Sequence, residues 1–165
     1  MTVLFDHSQN VKHSGKRAAA ISGSLSGGNQ FCETGSCVNN PTNPVKDTLA
    51  STFMLPPHWK TQAAIPVSAG KTYQLSFWAS MSIITTGKGF DAVARWTNSG
   101  GSVVKQQVLY NNTDGGTMEW TSFTIPKIVA PAGATGLTLL LGQSDDAWNG
   151  QVIFDDVYFG TYTLA

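Results

Sequence analysis

Apolar and polar residues alternate with a period of two along most of the chain, in short runs that end at Gly, Pro or Asn, and helical periodicity is nearly absent. That period marks strands with one buried face. The runs TVLFD, RAAAISGSL, DTLASTFML, KTQAAIPV, KTYQLSFWASM, GFDAVARWTN, GSVVKQQVLY, MEWTSFTIPKI, TGLTLLLGQ and GQVIFDDVYFGTY give about ten strands. Many short strands at even spacing predict an all-β, antiparallel β-sandwich of the jelly-roll kind, with no substantial helix. No repeat or linker divides residues 1–165, so a single domain is expected.

Two strands show their faces directly. In KTYQLSFWASM, Tyr73, Leu75, Phe77 and Ala79 share one side, expected in the core, while Gln74, Ser76, Trp78 and Ser80 share the other. A large aromatic among polar groups suits a surface that recognises something. In FDAVARWTN, Phe90, Ala92, Ala94 and Trp96 oppose Asp91, Val93, Arg95 and Thr97, so Trp96 is expected inside and Asp91 and Arg95 outside.

Composition narrows the function classes. Only 12% of residues are charged and the formal net charge is zero, which argues against a nucleic-acid partner. No apolar run approaches the roughly 20 residues of a membrane span. MTVLFDHSQ has neither the basic nor the long apolar region of a signal peptide. Abundant Gly, Ser, Thr and Asn suggest a secreted β protein. The two cysteines, Cys32 and Cys37, lie in the turn-rich segment at about 25–47. A Cys32–Cys37 disulfide pinning that loop, in an oxidising extracellular setting, is the expectation, with two free thiols as the alternative. Asn111 opens an Asn-X-Thr glycosylation sequon.

A catalytic reading finds little footing. There are ten acids, of which two, Glu33 and Glu119, are Glu, and no nucleophile elbow or phosphate loop is present. Asp145 and Asp146 lie in a loop of the kind where acids cap turns. A lyase site built from His58, Tyr110 and Arg95 is conceivable, but no spacing brings them together.

The stretch GQVIFDDVYFG poses a separate question. Adjacent Asp155 and Asp156 should face opposite sides of their strand, so one carboxylate should meet the core. A buried carboxylate needs a proton, a cation or a metal.

Three segments in order, HSGKRAAAI, IPVSAGKTYQLSFWAS and EWTSFTIPKIVAPAGATGLTLLLGQSDDAWNGQVIFDDVYF, resemble the β-jelly-roll carbohydrate-binding modules related to families 4, 9, 16 and 22. The usual N-x-x-F-E-x-G opening of such modules is replaced by VLFDHS. The resemblance implies a structural Ca²⁺ held by Asp155, by Asp6 or its neighbours, and by the Lys16 backbone carbonyl, a hard-oxygen set of the kind Ca²⁺ takes. The alternative is that Asp155 or Asp156 caps backbone amides or pairs with Lys16 or Arg17.

The resemblance also implies a non-catalytic module that binds a β-glucan, mannan or xylan chain in an aromatic-lined groove and targets an attached polysaccharide-degrading enzyme, most simply as a monomer. Sugar rings stack on aromatics while their hydroxyls bond to amides, carboxylates and Arg. Trp78, Trp59, Trp148, Tyr110, Arg95, Asp91, Gln74 and Gln107 are therefore the candidate ligand residues, and Trp120 is expected in the core. An adhesive β-sandwich that binds protein is the competing reading.

Overall fold

The structure, a computed structural model, describes residues 4–6, 13–14, 18–23, 30–31, 38–39, 58–83, 89–144 and 150–163. Among them the chain forms strands β1 (Leu4–Asp6), β2 (Ala18–Gly23), β3 (Gln30–Phe31), β4 (Val38–Asn39), β5 (His58–Lys60), β6 (Ile65–Pro66), β7 (Thr72–Ile83), β8 (Phe90–Thr97), β9 (Val103–Asn111), β10 (Gly116–Val129), β11 (Gly136–Gln143) and β12 (Gly150–Thr161), and no helix. The expected run DTLASTFML lies outside the described residues, and KTQAAIPV contributes only to the short β5 and β6.

The strands make two antiparallel sheets and a small ribbon. The first sheet runs β1-β2-β12-β7-β10, the second runs β5-β11-β8-β9 with β6 added beside β11, and β3 pairs with β4. This is the predicted antiparallel sandwich. Consecutive β7 and β8 belong to different sheets, so the chain crosses the sandwich between them.

The period of two does its work in the long central strands. Tyr73, Leu75, Phe77, Ala79 and Met81 of β7 face Phe90, Ala92, Ala94 and Trp96 of β8 and Leu137, Leu139 and Leu141 of β11 in one buried cluster. Phe77 lies at its centre, stacked on Phe123 with ring centroids 5.2 Å apart and edge-on to Phe90 and Phe154 at 6.2 and 5.9 Å. Each such side chain taken out of water contributes roughly 1.5–3 kcal/mol, before the entropy of ordering it. Trp96 is fully buried, as its face requires.

Two departures from strict alternation matter later. Opposite β7, the pairing slips by one residue between Met118 and Thr121 of β10, and again between Asp155 and Tyr158 of β12. Each slip is a β-bulge, which re-aims the side chains at the extra residue. Asp156 takes the left-handed backbone conformation there, with φ at 49°.

Candidate functional site: the two outer faces of the sandwich

The registers fix which side chains share the outer face of the second sheet. Across one level, His58 stands opposite Gly142, Gly142 opposite Asp91, and Asp91 opposite Asn111. Across the next, Lys60, Leu140, Val93 and Val108 align, and beyond them Thr138, Arg95 and Gln106. His58, Asp91, Val93 and Leu140 are buried although they face outward, whereas Lys60, Thr138, Arg95 and Gln106 are half-buried and Asn111 is exposed.

His58 and Asp91 are two strands apart, so their backbones are separated by about 10 Å. They nevertheless pair, His58 Nε2 with Asp91 Oδ1, because the intervening strand carries Gly142, which puts no side chain between them. The pair answers the cost of placing a carboxylate at a site where only 7% of the residue reaches solvent. One level away, Arg95 Nε donates to Gln106 Oε1 at 3.2 Å, which fixes the guanidinium along the row it shares with Thr138. Such a row of planar donors and amides is suited to sugar hydroxyls or carboxylates.

The outer face of the first sheet is of another kind. Trp78 stands opposite Asp155 on one side and Ser122 on the other, with Ser76 opposite Tyr158 and Gln74 opposite Gly160. His13 stacks on Trp78, centroids 3.7 Å apart and planes 15° from parallel, with Trp120 tilted beside it at 5.7 Å.

The paired carboxylates hold that arrangement. Asp155 Oδ2 accepts the backbone N–H groups of His13 and Ser14 at 3.0 and 2.9 Å, and its Oδ1 accepts the Asp156 N–H at 2.8 Å. Ser14 Oγ donates to Asp156 Oδ1 at 2.5 Å, and His13 Nδ1 lies 2.8 Å from Asp156 Oδ2. The Ser14 and His13 hydrogen bonds hold the Asp156 carboxyl below the usual carboxylate range against a small opposing effect of burial. The question raised by the twin aspartates thus has a local answer. The bulge turns both carboxylates to the same side, and the His13–Ser14 turn satisfies them.

These contacts decide the fit of a calcium ion. Ca²⁺ takes oxygen lone pairs, and three backbone N–H donors already point at Asp155 while both Asp156 oxygens receive hydrogen bonds. Among the described residues this donor set suits amides and a hydroxyl and does not fit a cation. Lys16 lies outside the described residues, as does the Asp6 side chain; the Asp6 backbone pairs with Ala18.

The candidate ligand residues divide accordingly. Trp78 and Gln74 face outward on the first sheet, Asp91 and Arg95 on the second, so no single groove joins them. Trp59, opposite Leu141, packs against the core, because its strand turns His58 and Lys60 outward instead. Tyr110 also points inward, opposite Ala92, with its ring 5.1 Å from Phe123 and 5.6 Å from Phe90. Gln107 stands opposite Ala94 on the inner side, its Oε1 buried with no hydrogen-bond partner among the described residues. Trp148, Cys32 and Cys37 lie outside the described residues. Trp120 is not in the core. The bulge at residues 119–120 carries it to the outer face, where it packs on Ala18 and Ile153. KQQVLY offers Gln107 or Gln106, and it is Gln106 that stands beside Arg95; Lys60 and Thr138 are outward neighbours not singled out from the sequence, and the GLTLLLG alternation of Thr138 with Leu137 and Leu139 was the signal for one of them.

No protein-family model and no curated protein matches the sequence. Solved structures do. The C-terminal family 22 carbohydrate-binding module of Clostridium thermocellum Xyn10B is similar at TM-score 0.57 and 14% identity, over 98% of this chain and 81% of that one. The CBM22-1 xylan-binding domain of Paenibacillus barcinonensis Xyn10C follows at 0.54 and 9%, over 98% and 81%. A family 16 carbohydrate-binding module is similar at 0.51 and 16%, over 91% and 80%. The fold is that of a carbohydrate-binding module. Two longer chains, a bacteriophage CBA120 tailspike and a C. thermocellum xylanase, are matched over only 17% and 18% of their own length.

Proposed function

We propose that the chain is a non-catalytic carbohydrate-binding module that takes a β-glucan, mannan or xylan chain across the outer face of its second sheet and delivers an attached polysaccharide-degrading enzyme to it. The observation that carries this reading is the row Thr138, Arg95 and Gln106, with Lys60 at the next level, on the outer face of the second sheet, where the Arg95 guanidinium is held by Gln106. Extended glycans offer hydroxyls at regular spacing, and donors fixed on adjacent strands meet them with little ordering cost. Fold likeness to modules such as the xylan-binding domain supports the ligand class and puts xylan first among the probes.

A secreted setting goes with this reading, as does a Cys32–Cys37 disulfide. Gln30 pairs with Asn39 and Phe31 with Val38, and in the sequence Cys32 follows Phe31 directly and Cys37 precedes Val38.

The test is affinity electrophoresis through gels of xylan, mannan and mixed-linkage β-glucan, with each polymer assayed for new reducing or unsaturated ends. Retardation by one polymer without chain cleavage, weakened at least tenfold by Arg95→Ala with Gln106→Ala, is the expected result. Product release would make the chain an enzyme, and no retardation on any polymer would favour the adhesive reading.

A further inference from the structure

Resting on that reading of the chain as a glycan binder, we propose a second carbohydrate site on the outer face of the first sheet, whose stacking place on Trp78 is filled by the chain's own His13–Ser14 turn.

The turn makes the contacts a pyranose would make. A sugar ring lays its apolar face flat on an indole, and the His13 ring lies flat on Trp78 at 3.7 Å and 15°. Sugar hydroxyls donate to carboxylates, and Ser14 Oγ donates to Asp156 while the two backbone N–H groups donate to Asp155. Both turn residues are exposed, and they hydrogen-bond to the Asp155 and Asp156 side chains at the sheet surface. The turn therefore covers the platform without being built into the core.

The surface continues beyond the turn in the same chemistry. Tyr158 is 53% exposed and lies against Gly160, where any side chain would collide with its hydroxyl. Tyr158 stands opposite Ser76, and its ring reaches over Gly160, the residue opposite Gln74. An aromatic lying on a strand beside a hydroxyl and an amide is a second stacking position in line with Trp78.

Charge selects the occupant. Asp155 and Asp156 accept hydrogen bonds and repel anions, so the site fits a neutral pyranose and disfavours a uronic acid or a sulfated sugar. Opening it requires the sugar to replace the turn, so uncovering Trp78 in advance should raise affinity by roughly threefold to tenfold, the worth of one aromatic stacking contact.

The experiment titrates xylohexaose, cellohexaose and a trigalacturonate against the full chain and its variants by calorimetry, with tryptophan fluorescence recorded in parallel. In an Arg95→Ala, Gln106→Ala background, which disables the second-sheet face, His13→Ala should bind a neutral oligosaccharide more tightly than the background alone. Adding Trp78→Ala or, at an exposed position that leaves the core untouched, Tyr158→Ala should remove the gain, and the trigalacturonate should show none. An unchanged affinity on His13→Ala, or a gain that survives both aromatic substitutions, overturns the second site. If the wild type binds through Arg95 and Gln106 while His13→Ala adds nothing, only the second site fails. If the wild type binds nothing and His13→Ala binds through Trp78, only the second-sheet reading fails. Silence in every variant sinks both.

Discussion

Leucine substitutions at His58 and Asp91 probe the bridge over Gly142. Only 3% of His58 and 7% of Asp91 reach solvent, so water cannot substitute for a lost partner. Removing one side of a buried ionic or charge-assisted pair strands the other, at a cost of about 3–5 kcal/mol. In a domain of this size each kcal/mol moves the melting temperature by about 2–4 °C, so Asp91→Leu or His58→Leu alone should lower it by roughly 6–20 °C. The double variant removes both members of the pair together. Apolar replacements of similar volume for a buried pair are often near neutral, so the double variant should be less destabilised than the sum of the singles, with a coupling of at least about 2 kcal/mol. Urea denaturation of the four proteins, followed by circular dichroism, measures that coupling. Additivity within about 0.5 kcal/mol would refute the bridge as a coupled unit. Gly142→Val, which inserts a branched side chain between the partners, should reproduce the loss seen in a single variant.

The aspartate clamp gives three further expectations. Asp155→Ala leaves three N–H groups to water and should cost about 1–3 kcal/mol, with a change in tryptophan emission as His13 leaves Trp78; an unaltered spectrum would contradict the stacking. Asp156 is depressed in the folded state, so its contribution is present above the ordinary carboxylate range and is lost as pH falls through its folded value. The melting temperature should therefore drop below about pH 4, and Asp156→Asn should flatten that acid limb in a pH series. Chelation by EDTA should leave the melting temperature unchanged, since the donors around Asp155 are N–H groups, whereas stabilisation by added Ca²⁺ would show that a cation displaces the turn. On the loop, alkylation before and after reduction should add mass to Cys32 and Cys37 only after reduction; labelling of the untreated chain would mean free thiols.

The fold was legible because it rests on a local quantity. Alternation in β7 and β8 names the buried faces residue by residue, and Tyr73, Leu75, Phe77, Trp96 and their neighbours follow it. Strand order is not a local quantity. Trp78 and Arg95 are close in sequence and both face outward, yet β7 and β8 lie in different sheets, so the two side chains project from opposite sides of the sandwich. The same gap hid the His58–Asp91 bridge, since no pattern within HWK or FDAV says that Gly142 will lie between them. Trp59 and Tyr110 were misplaced for a simpler reason. An aromatic near the end of a strand is equally compatible with either face until the register is known, and here the register gives both to the core.

The remaining errors share a cause, and it bears on function. Trp120 was expected inside and Asp156 on the face opposite Asp155, which is what unbroken alternation requires. One bulge in β10 and one in β12 reverse these, and both interrupt the pairing with the same short stretch of β7 around Trp78. A single bulge bends its strand and increases the local twist. Two bulges flanking one tryptophan, each delivering a side chain to its side of the sheet, assemble a site that regular strands would not make. The left-handed Asp156 adds local strain at the same point. Asp156→Gly would relax that backbone while deleting the carboxylate, so comparison with Asp156→Asn separates the two contributions. If the asparagine variant keeps the turn on Trp78 and the glycine variant loses it, the carbonyl oxygen suffices as an acceptor and the negative charge is spare for a ligand.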